Sequence, residues 1–407
     1  MLSKKIKEAL KSYPTPFYLY DMGLLDATLD AIMTEAGRSG YKMHYAIKAN
    51  NDEAILRTVL AHGVGIDCVS GNELRLIRRL GFPADGIVYA GVGKSDWEIR
   101  LGIEEGIRAF NCESRQELQV INEIAGDAGK KARVALRINP DVDPQTHRHI
   151  STGQADSKFG ISYKEIDLVA EELAQYENLE FQGLHFHIGS QITDMRVFEF
   201  FCRRVNSLVD WFRDKGFPLT YLNMGGGLGV DYDHPDAHPM PDFKAYFDAF
   251  RNNLEVDGVE VHFELGRAVV AQCGELLTRV LFNKINSAGN EVVIVDASMA
   301  ELIRPALYEA YHEIENLDAH PGSEVKPYIV AGTVCESSDV FASGRMLPEL
   351  KRGDLVTIKS AGAYGASMAS CYNMHDLPRV VYSNQIGTSA SQSKVVNVDT
   401  RTSKAVI

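Results

Sequence analysis

Eight short apolar stretches recur between residues 41 and 264, and this recurrence constrains the fold more than any other feature of the chain. They fall at 41–47, 64–69, 86–90, 106–110, 132–138, 181–187, 219–224 and 259–264, lengths that suit strands rather than helices. Helical signals fill the gaps. Ser95 with Glu98, Ser114 with Glu117 and Ser162 with Glu165 have the spacing of a capping box, in which each side chain satisfies the other's orphan N–H. Ile166, Val169, Ala170 and Leu173 follow one face of a helix, and Phe201, Val205, Leu208 and Phe212 mark a second. Eight strand–helix alternations over about 230 residues fit a (β/α)8 barrel of the TIM type. A doubly wound open sheet has the same periodicity and is the rival architecture.

After Gly266 the pattern changes. Segments 276–285, 291–296, 326–331, 354–360 and 379–382 read as strands, with one helix expected at 303–314. The proline-flanked opening 14–21 also reads as a strand. The expected fold is therefore α/β: a barrel over 24–270, and a C-terminal all-β domain over 271–407 completed by the N-terminal strand of 1–23.

Composition narrows the function classes. Of 407 residues, 45% are hydrophobic and 24% charged, an ordinary balance for a soluble enzyme. No apolar run approaches the length of a membrane span, and the first fifteen residues lack the apolar core of a secretory signal. A net charge of −13 disfavours nucleic acid as a partner. Six cysteines without a CxxC pair suggest a reduced, cytoplasmic protein, with neither a disulfide frame nor a zinc cage.

A barrel carries its active site at the C-terminal ends of its strands. The unusual polar residues collect there: Lys48 after the first stretch, Asp67 in the second, Arg137 and Asn139 after the fifth. His185, His187 and Ser190 follow at the sixth, the Gly225–Gly229 run at the seventh, and Glu264 and Arg267 at the eighth. Lys48 closes an alternating strand. A partly desolvated ammonium there would have the lowered pKa that a Schiff-base lysine needs; the plain alternative is a surface lysine. The glycine run suits a phosphate held by backbone N–H groups, or merely a tight turn. It is not a dinucleotide fingerprint, since Val230 stands where a third glycine is required. Gly91-Val92-Gly93-Lys94-Ser95 fails as a P-loop because Val88 occupies the first glycine position. His185 and His187 lie on one side of a strand without a third ligand at metal spacing, so no metal is expected; ring stacking or core packing suits them better. In the β domain, Cys335-Glu336-Ser337-Ser338-Asp339 and Gly362-Ala363-Tyr364-Gly365 each follow a strand.

With these residues assembled, the sequence resembles the fold-type III decarboxylases that use pyridoxal 5′-phosphate (PLP), most closely their diaminopimelate decarboxylase branch. The likeness runs from Pro14-Thr15-Pro16 to about Val381. Besides the motifs already quoted, Ser157-Lys158-Phe159-Gly160 and Arg304-Pro305-Ala306-Leu307-Tyr308 carry it. The set is specific in its order and spacing, although each motif alone is weak.

The resemblance implies that Lys48 binds the cofactor covalently and His187 stacks on its ring. It implies that Ser190, Gly226 and Gly227 hold the phosphate, and that Glu264 pairs with the ring nitrogen. Gly266, Arg267 and Tyr364 complete the cofactor set. It further implies decarboxylation of meso-2,6-diaminopimelate to L-lysine and CO2, the last step of lysine synthesis. Cys335 would donate the proton, as a thiol that is largely protonated at neutral pH can do. Arg267, Arg304, Tyr308, Glu336 and Tyr364 would bind the substrate. Its distal end carries a carboxylate, suited to a guanidinium fork, and an ammonium, suited to a carboxylate.

A related decarboxylase acting on carboxynorspermidine would share the cofactor residues and read the distal end differently. A non-catalytic PLP carrier would not need the β domain, and a racemase would need a second base. The resemblance also implies a homodimer in which the Cys335 loop completes the partner's site, and the long polar segment 139–160 is a candidate lid. Two positions depart from the family pattern: Leu265 replaces a proline, with little change in cofactor binding expected. Ser338 replaces a glycine, which matters if that turn needs a positive φ.

Overall fold

The computed structural model describes residues 8–140 and 158–386; the candidate lid lies largely outside the described residues. The chain divides into two compact units. One takes Met1–Leu25, Asp231–Met240 and Val270–Ile407, and the other Asp26–Val230 and Pro241–Val269.

Strand β1 (Phe17–Tyr20) belongs to the first unit. The second unit then runs through β2 (Lys42–Ala46), β3 (Gly65–Cys68), β4 (Ile87–Tyr89), β5 (Ala109–Cys112) and β6 (Ala132–Asn139). After the two-residue β7 (Ile161–Ser162) come β8 (Leu179–His185), β9 (Tyr221–Asn223) and β10 (Glu260–Leu265). Their order is β5-β4-β3-β2-β10-β9-β8-β6, and β5 pairs with β6, so eight parallel strands close on themselves. The closure excludes the open doubly wound sheet.

The helices between strands bury their apolar faces as the spacing predicts. Ile166, Val169, Ala170 and Leu173 are the buried residues of helix Ile166–Leu173. Helix Met195–Asp214 buries Phe201, Val205 and Phe212, but uses Val209 where Leu208 was expected. Ser95 and Glu98 form the full capping box. Ser114 caps Glu117 N–H, but Glu117 turns its own carboxylate to Glu113 N–H and to Lys94. β5 starts three residues later than its sequence suggests: Gly106 adopts φ +67° as the left-handed cap of the preceding helix, so the strand begins at Ala109.

In the first unit β11 (Gly274–Ile285), β12 (Glu291–Val295), β13 (Ile314–Asn316), β14 (Val325–Ala331), β15 (Val340–Pro348), β16 (Leu355–Ile358) and β17 (Arg379–Tyr382) build a mixed sheet. β1 completes it, antiparallel to β11 and parallel to β17. The N-terminal strand is held by apolar burial: Leu10, Phe17 and Leu19 pack with Leu277 and Leu355. The helix expected at 303–314 is a correction. It spans only Arg304–Tyr308, because Glu309 turns left-handed at φ +52°, and Ile314 already belongs to β13. No helix among the described residues is long and apolar enough to cross a membrane.

Candidate active site

Lys48 lies in a single 3-10 turn, Ile47–Ala49, directly after β2, so the strand end fixes its position. Its Nζ stands 3.1 Å from Asp67 Oδ2 on the neighbouring β3. The lysine side chain is 41% exposed while the aspartate side chain is 1% exposed. The ammonium is therefore not desolvated as the sequence suggests; its partner carries the burial. Burial pushes the Asp67 carboxyl up to about 6, Glu264 adds to the rise, and Lys48 opposes it.

Glu264, near the end of β10, is buried and held by three donors. Asn111 Nδ2 and Asn223 Nδ2 reach Oε1 at 3.2 and 2.6 Å, and His185 Nε2 reaches Oε2 at 3.0 Å. β5 and β10 are not neighbours, so the Asn111 contact crosses the barrel lumen. Burial raises the Glu264 carboxyl, with Lys48, His44 and Arg137 opposing. Burial, followed by Arg137, pushes His185 down to about 3. His185 is thus a neutral Nε2–H donor to the carboxylate rather than a ring-stacking or zinc-binding residue.

His187 sits two residues past the end of β8. Its Nδ1 accepts the Gly226 N–H at 3.3 Å, which leaves the ring proton on Nε2. Burial, with Arg137 behind it, lowers its pKa and keeps the ring neutral. The glycine turn is forced by close backbone packing. A Cβ on Gly225 would stand 2.2 Å from Phe186 O, and one on Gly226 2.0 Å from Glu264 O; Gly225 and Gly227 have φ of +70° and +106°. Gly266 lets the end of β10 approach the lysine turn, since a Cβ there would meet those of Ala46 and Ala49 at 3.1 Å.

Arg267, buried, directs Nε and Nη2 onto Ser190 Oγ at 3.2 and 3.1 Å, so an expected phosphate-holding residue meets one expected to bind cofactor and substrate. The glycine-lysine segment rejected as a P-loop is structural: Lys94 Nζ is buried against Glu117 at 2.6 Å and the carbonyls of Gly91 and Asn111. Glu113, beside it, pairs with Arg137 at 2.6 Å and accepts the Gly160 N–H at 2.8 Å, tying residue 160 to the barrel.

In the first unit Arg304 is buried, stacks over Tyr232 at 4.7 Å, and donates from Nη1 to His312 Nε2 at 2.8 Å. His312 Nδ1 in turn meets Lys359 O at 2.8 Å, which fixes its tautomer. Tyr308 and Tyr364 are half-buried, the latter at φ +56°. Cys335 and Glu336 are exposed; Cys335 N–H donates to Asn373 Oδ1 at 2.9 Å, and Tyr372 Oη donates to Glu336 Oε1.

The barrel residues fit PLP. Lys48 would offer an amine to its aldehyde, Glu264 a buried carboxylate to its ring nitrogen, and His187 a planar neutral ring. The glycine turn with Arg267 and Ser190 would offer N–H and O–H groups to its phosphate.

The pyridoxal binding domain of the pyridoxal-dependent decarboxylases matches residues 26–271. Across nearly its full length the chain is 49% identical to diaminopimelate decarboxylase of Bacteroides thetaiotaomicron, covering 93% of this chain and 98% of that one. This chain belongs to the diaminopimelate decarboxylases. The Aquifex aeolicus diaminopimelate decarboxylase is 41% identical over 91% of this chain and 86% of its own length. Among solved structures, Helicobacter pylori diaminopimelate decarboxylase complexed with L-lysine superposes with a TM-score of 0.86 at 36% identity, covering 92% of this chain and 93% of that one.

Of the two departures from the diaminopimelate decarboxylase pattern, Leu265 is buried in β10 in register with Tyr45. Ser338 is not among the non-glycine residues with positive φ, so its turn does not require glycine. The sequence reading missed Asn111, Asn223 and His312. Their only signal is position: the two asparagines lie two residues or fewer from a strand end, and His312 eight residues after Arg304.

Proposed function

We propose that this chain decarboxylates meso-2,6-diaminopimelate to L-lysine and CO2 with PLP as cofactor. The observation that carries the reading is the set of Lys48, His187 and Glu264 converging at one barrel end, in a chain of the diaminopimelate decarboxylase family. Bound there, PLP supplies an electron sink for the pair released when the Cα–carboxylate bond breaks. Lys48 holds the aldehyde end, His187 backs the ring, and Glu264 faces the ring nitrogen. Ser190, Gly226 and Gly227 hold the phosphate, with Gly266, Arg267 and Tyr364 completing the cradle. Asp67 keeps the Lys48 amine aimed at the site. Cys335 delivers the proton to the carbon that loses CO2.

At the distal end of the substrate, Arg304 and Arg267 take the carboxylate, Glu336 the ammonium, and Tyr308 and Tyr364 the remaining polar contacts. Burial of Arg304 against His312 and Tyr232 supports this assignment, because these contacts hold in place a planar guanidinium whose fork suits a carboxylate. The barrel, 24–270, is the cofactor domain, and 1–23 with 271–407 the domain that contributes to substrate binding and dimerisation.

The chain acts as a homodimer with shared sites. Exposure of Cys335 and Glu336, with Met374 at 95% exposure next to the Asn373 that accepts the Cys335 N–H, supports an interface on that loop region. Free thiols at all six cysteines suit a cytoplasmic enzyme. A substrate comparison tests the assignment: CO2 is expected from meso-diaminopimelate and not from carboxynorspermidine, and the reverse pattern would move the chain to the related decarboxylase.

A further inference from the structure

Asn223 is the last residue of β9 and has no exposed surface. Its amide nitrogen donates to Glu264 Oε1 and to Tyr221 Oη, each at 2.6 Å. Its Oδ1 accepts the Gly225 N–H at 2.9 Å. Both N–H bonds and the carbonyl are thus engaged. The amide orientation is dictated by its surroundings, because a carboxylate must face the NH2 and a backbone N–H must face the oxygen. The Gly225 carbonyl accepts the Glu264 N–H at 2.7 Å, which closes a loop from Glu264 through Asn223 and Gly225 back to Glu264. The next residue, Gly226, donates its N–H to His187 Nδ1.

We propose that Asn223 is a positioning residue that couples the two ends of the cofactor site. Its amide nitrogen aims Glu264 at the ring nitrogen, while its carbonyl oxygen sets the Gly225–Gly227 turn that receives the phosphate. The proposal rests on the PLP reading of the barrel.

Asn111 and His185 touch only Glu264 within this cluster, so replacing them disturbs one end. Replacing Asn223 disturbs both. Aspartate and alanine separate its two functions: aspartate keeps an oxygen for Gly225 N–H and loses the donor to Glu264, whereas alanine loses both.

The test uses the full-length chain freed of cofactor and measures the dissociation constants of PLP and of pyridoxal, which lacks the phosphate. The ratio of the two constants reports the phosphate end, and the pyridoxal constant alone reports the ring end. For Asn223→Ala, both constants are expected to rise at least about tenfold, and the preference for PLP to shrink. For Asn223→Asp, both are expected to rise with the preference kept. Asn223→Leu, similar in volume but without donor or acceptor, replaces the alanine variant if that one fails to fold. Constants within about twofold of wild type in Asn223→Ala, or a preference lost equally in Asn223→Asp and Asn223→Ala, would overturn the coupling. A wild-type chain that binds no PLP would overturn the cofactor reading, and this coupling with it.

Discussion

Lys48 Nζ lies 3.1 Å from Asp67 Oδ2, and the two differ sharply in exposure: the lysine reaches solvent and the aspartate does not. The buried carboxylate therefore loses hydration for which the exposed ammonium is the main compensation. Asp67→Asn removes the charge and keeps the shape. Decarboxylation is expected to fall at least about tenfold, equivalent to ~1.4 kcal/mol. Asp67 titrates at about 6, so part of the acid limb of the wild-type rate profile should disappear in the variant. Rate against pH from 5 to 8 for both chains checks it; an unaltered limb would remove Asp67 from the site's titration. Lys48→Ala should abolish the visible absorbance of bound PLP, and a retained band would refute the assignment of Lys48.

The Arg304–His312 pair makes a prediction about substrate rather than cofactor. Arg304→Lys cannot stack on Tyr232 or present a bidentate fork, so it loses the distal carboxylate contact. KM for meso-diaminopimelate is expected to rise about ten- to a hundredfold, with a smaller change in kcat. Steady-state kinetics settle the split: a fall confined to kcat would place Arg304 at the reacting end instead.

Shared sites predict complementation. Lys48→Ala and Cys335→Ala subunits are each expected to be nearly inactive. Reassociated in equal amounts, half the dimers are mixed and each has one intact site, so about a quarter of wild-type activity should return. Confirmed mixed dimers without recovered activity would show that Cys335 serves its own subunit's site.

Below the site, His44 Nε2 and His262 Nδ1 are 2.8 Å apart and both rings are buried. Burial pushes His44 down to about 4. Burial, helped by the charge of His44, pushes His262 down to about 2. A depressed histidine contributes stability that is present above its unfolded value of about 6.5 and is lost as pH falls. His262→Gln cannot titrate. Wild type should therefore lose stability relative to this variant by up to ~1.4 kcal/mol per pH unit between about 6.5 and 4. Urea unfolding at several pH values measures the difference; parallel pH dependence would mean that His262 is already charged in the fold.

The barrel was legible because its strands are short, apolar and regularly spaced, and because polar residues gather at their ends. The placement of Lys48, His187, Glu264 and Arg267 at or beside strand ends could be read from that pattern. What could not be read arises from contacts made through space. Asn111 meets Glu264 across the lumen and Asn223 meets it from the neighbouring β9, from positions 153 and 41 residues away in sequence. An asparagine in an apolar strand carries no periodic signal that predicts such a meeting. β15 was missed because Val340–Pro348 has no alternation; its pairing with β14, rather than its composition, makes it a strand. The helix overrun at 303–314 reflects a left-handed Glu309, a conformation that sequence does not announce for glutamate.

The central claim, the decarboxylation itself, is tested most directly by incubating the purified chain and PLP with meso-2,6-diaminopimelate and measuring CO2 and L-lysine together. Equal amounts of the two, absent in the Lys48→Ala variant, are the predicted result. No lysine from meso-diaminopimelate, in a chain shown to hold PLP, would contradict the account.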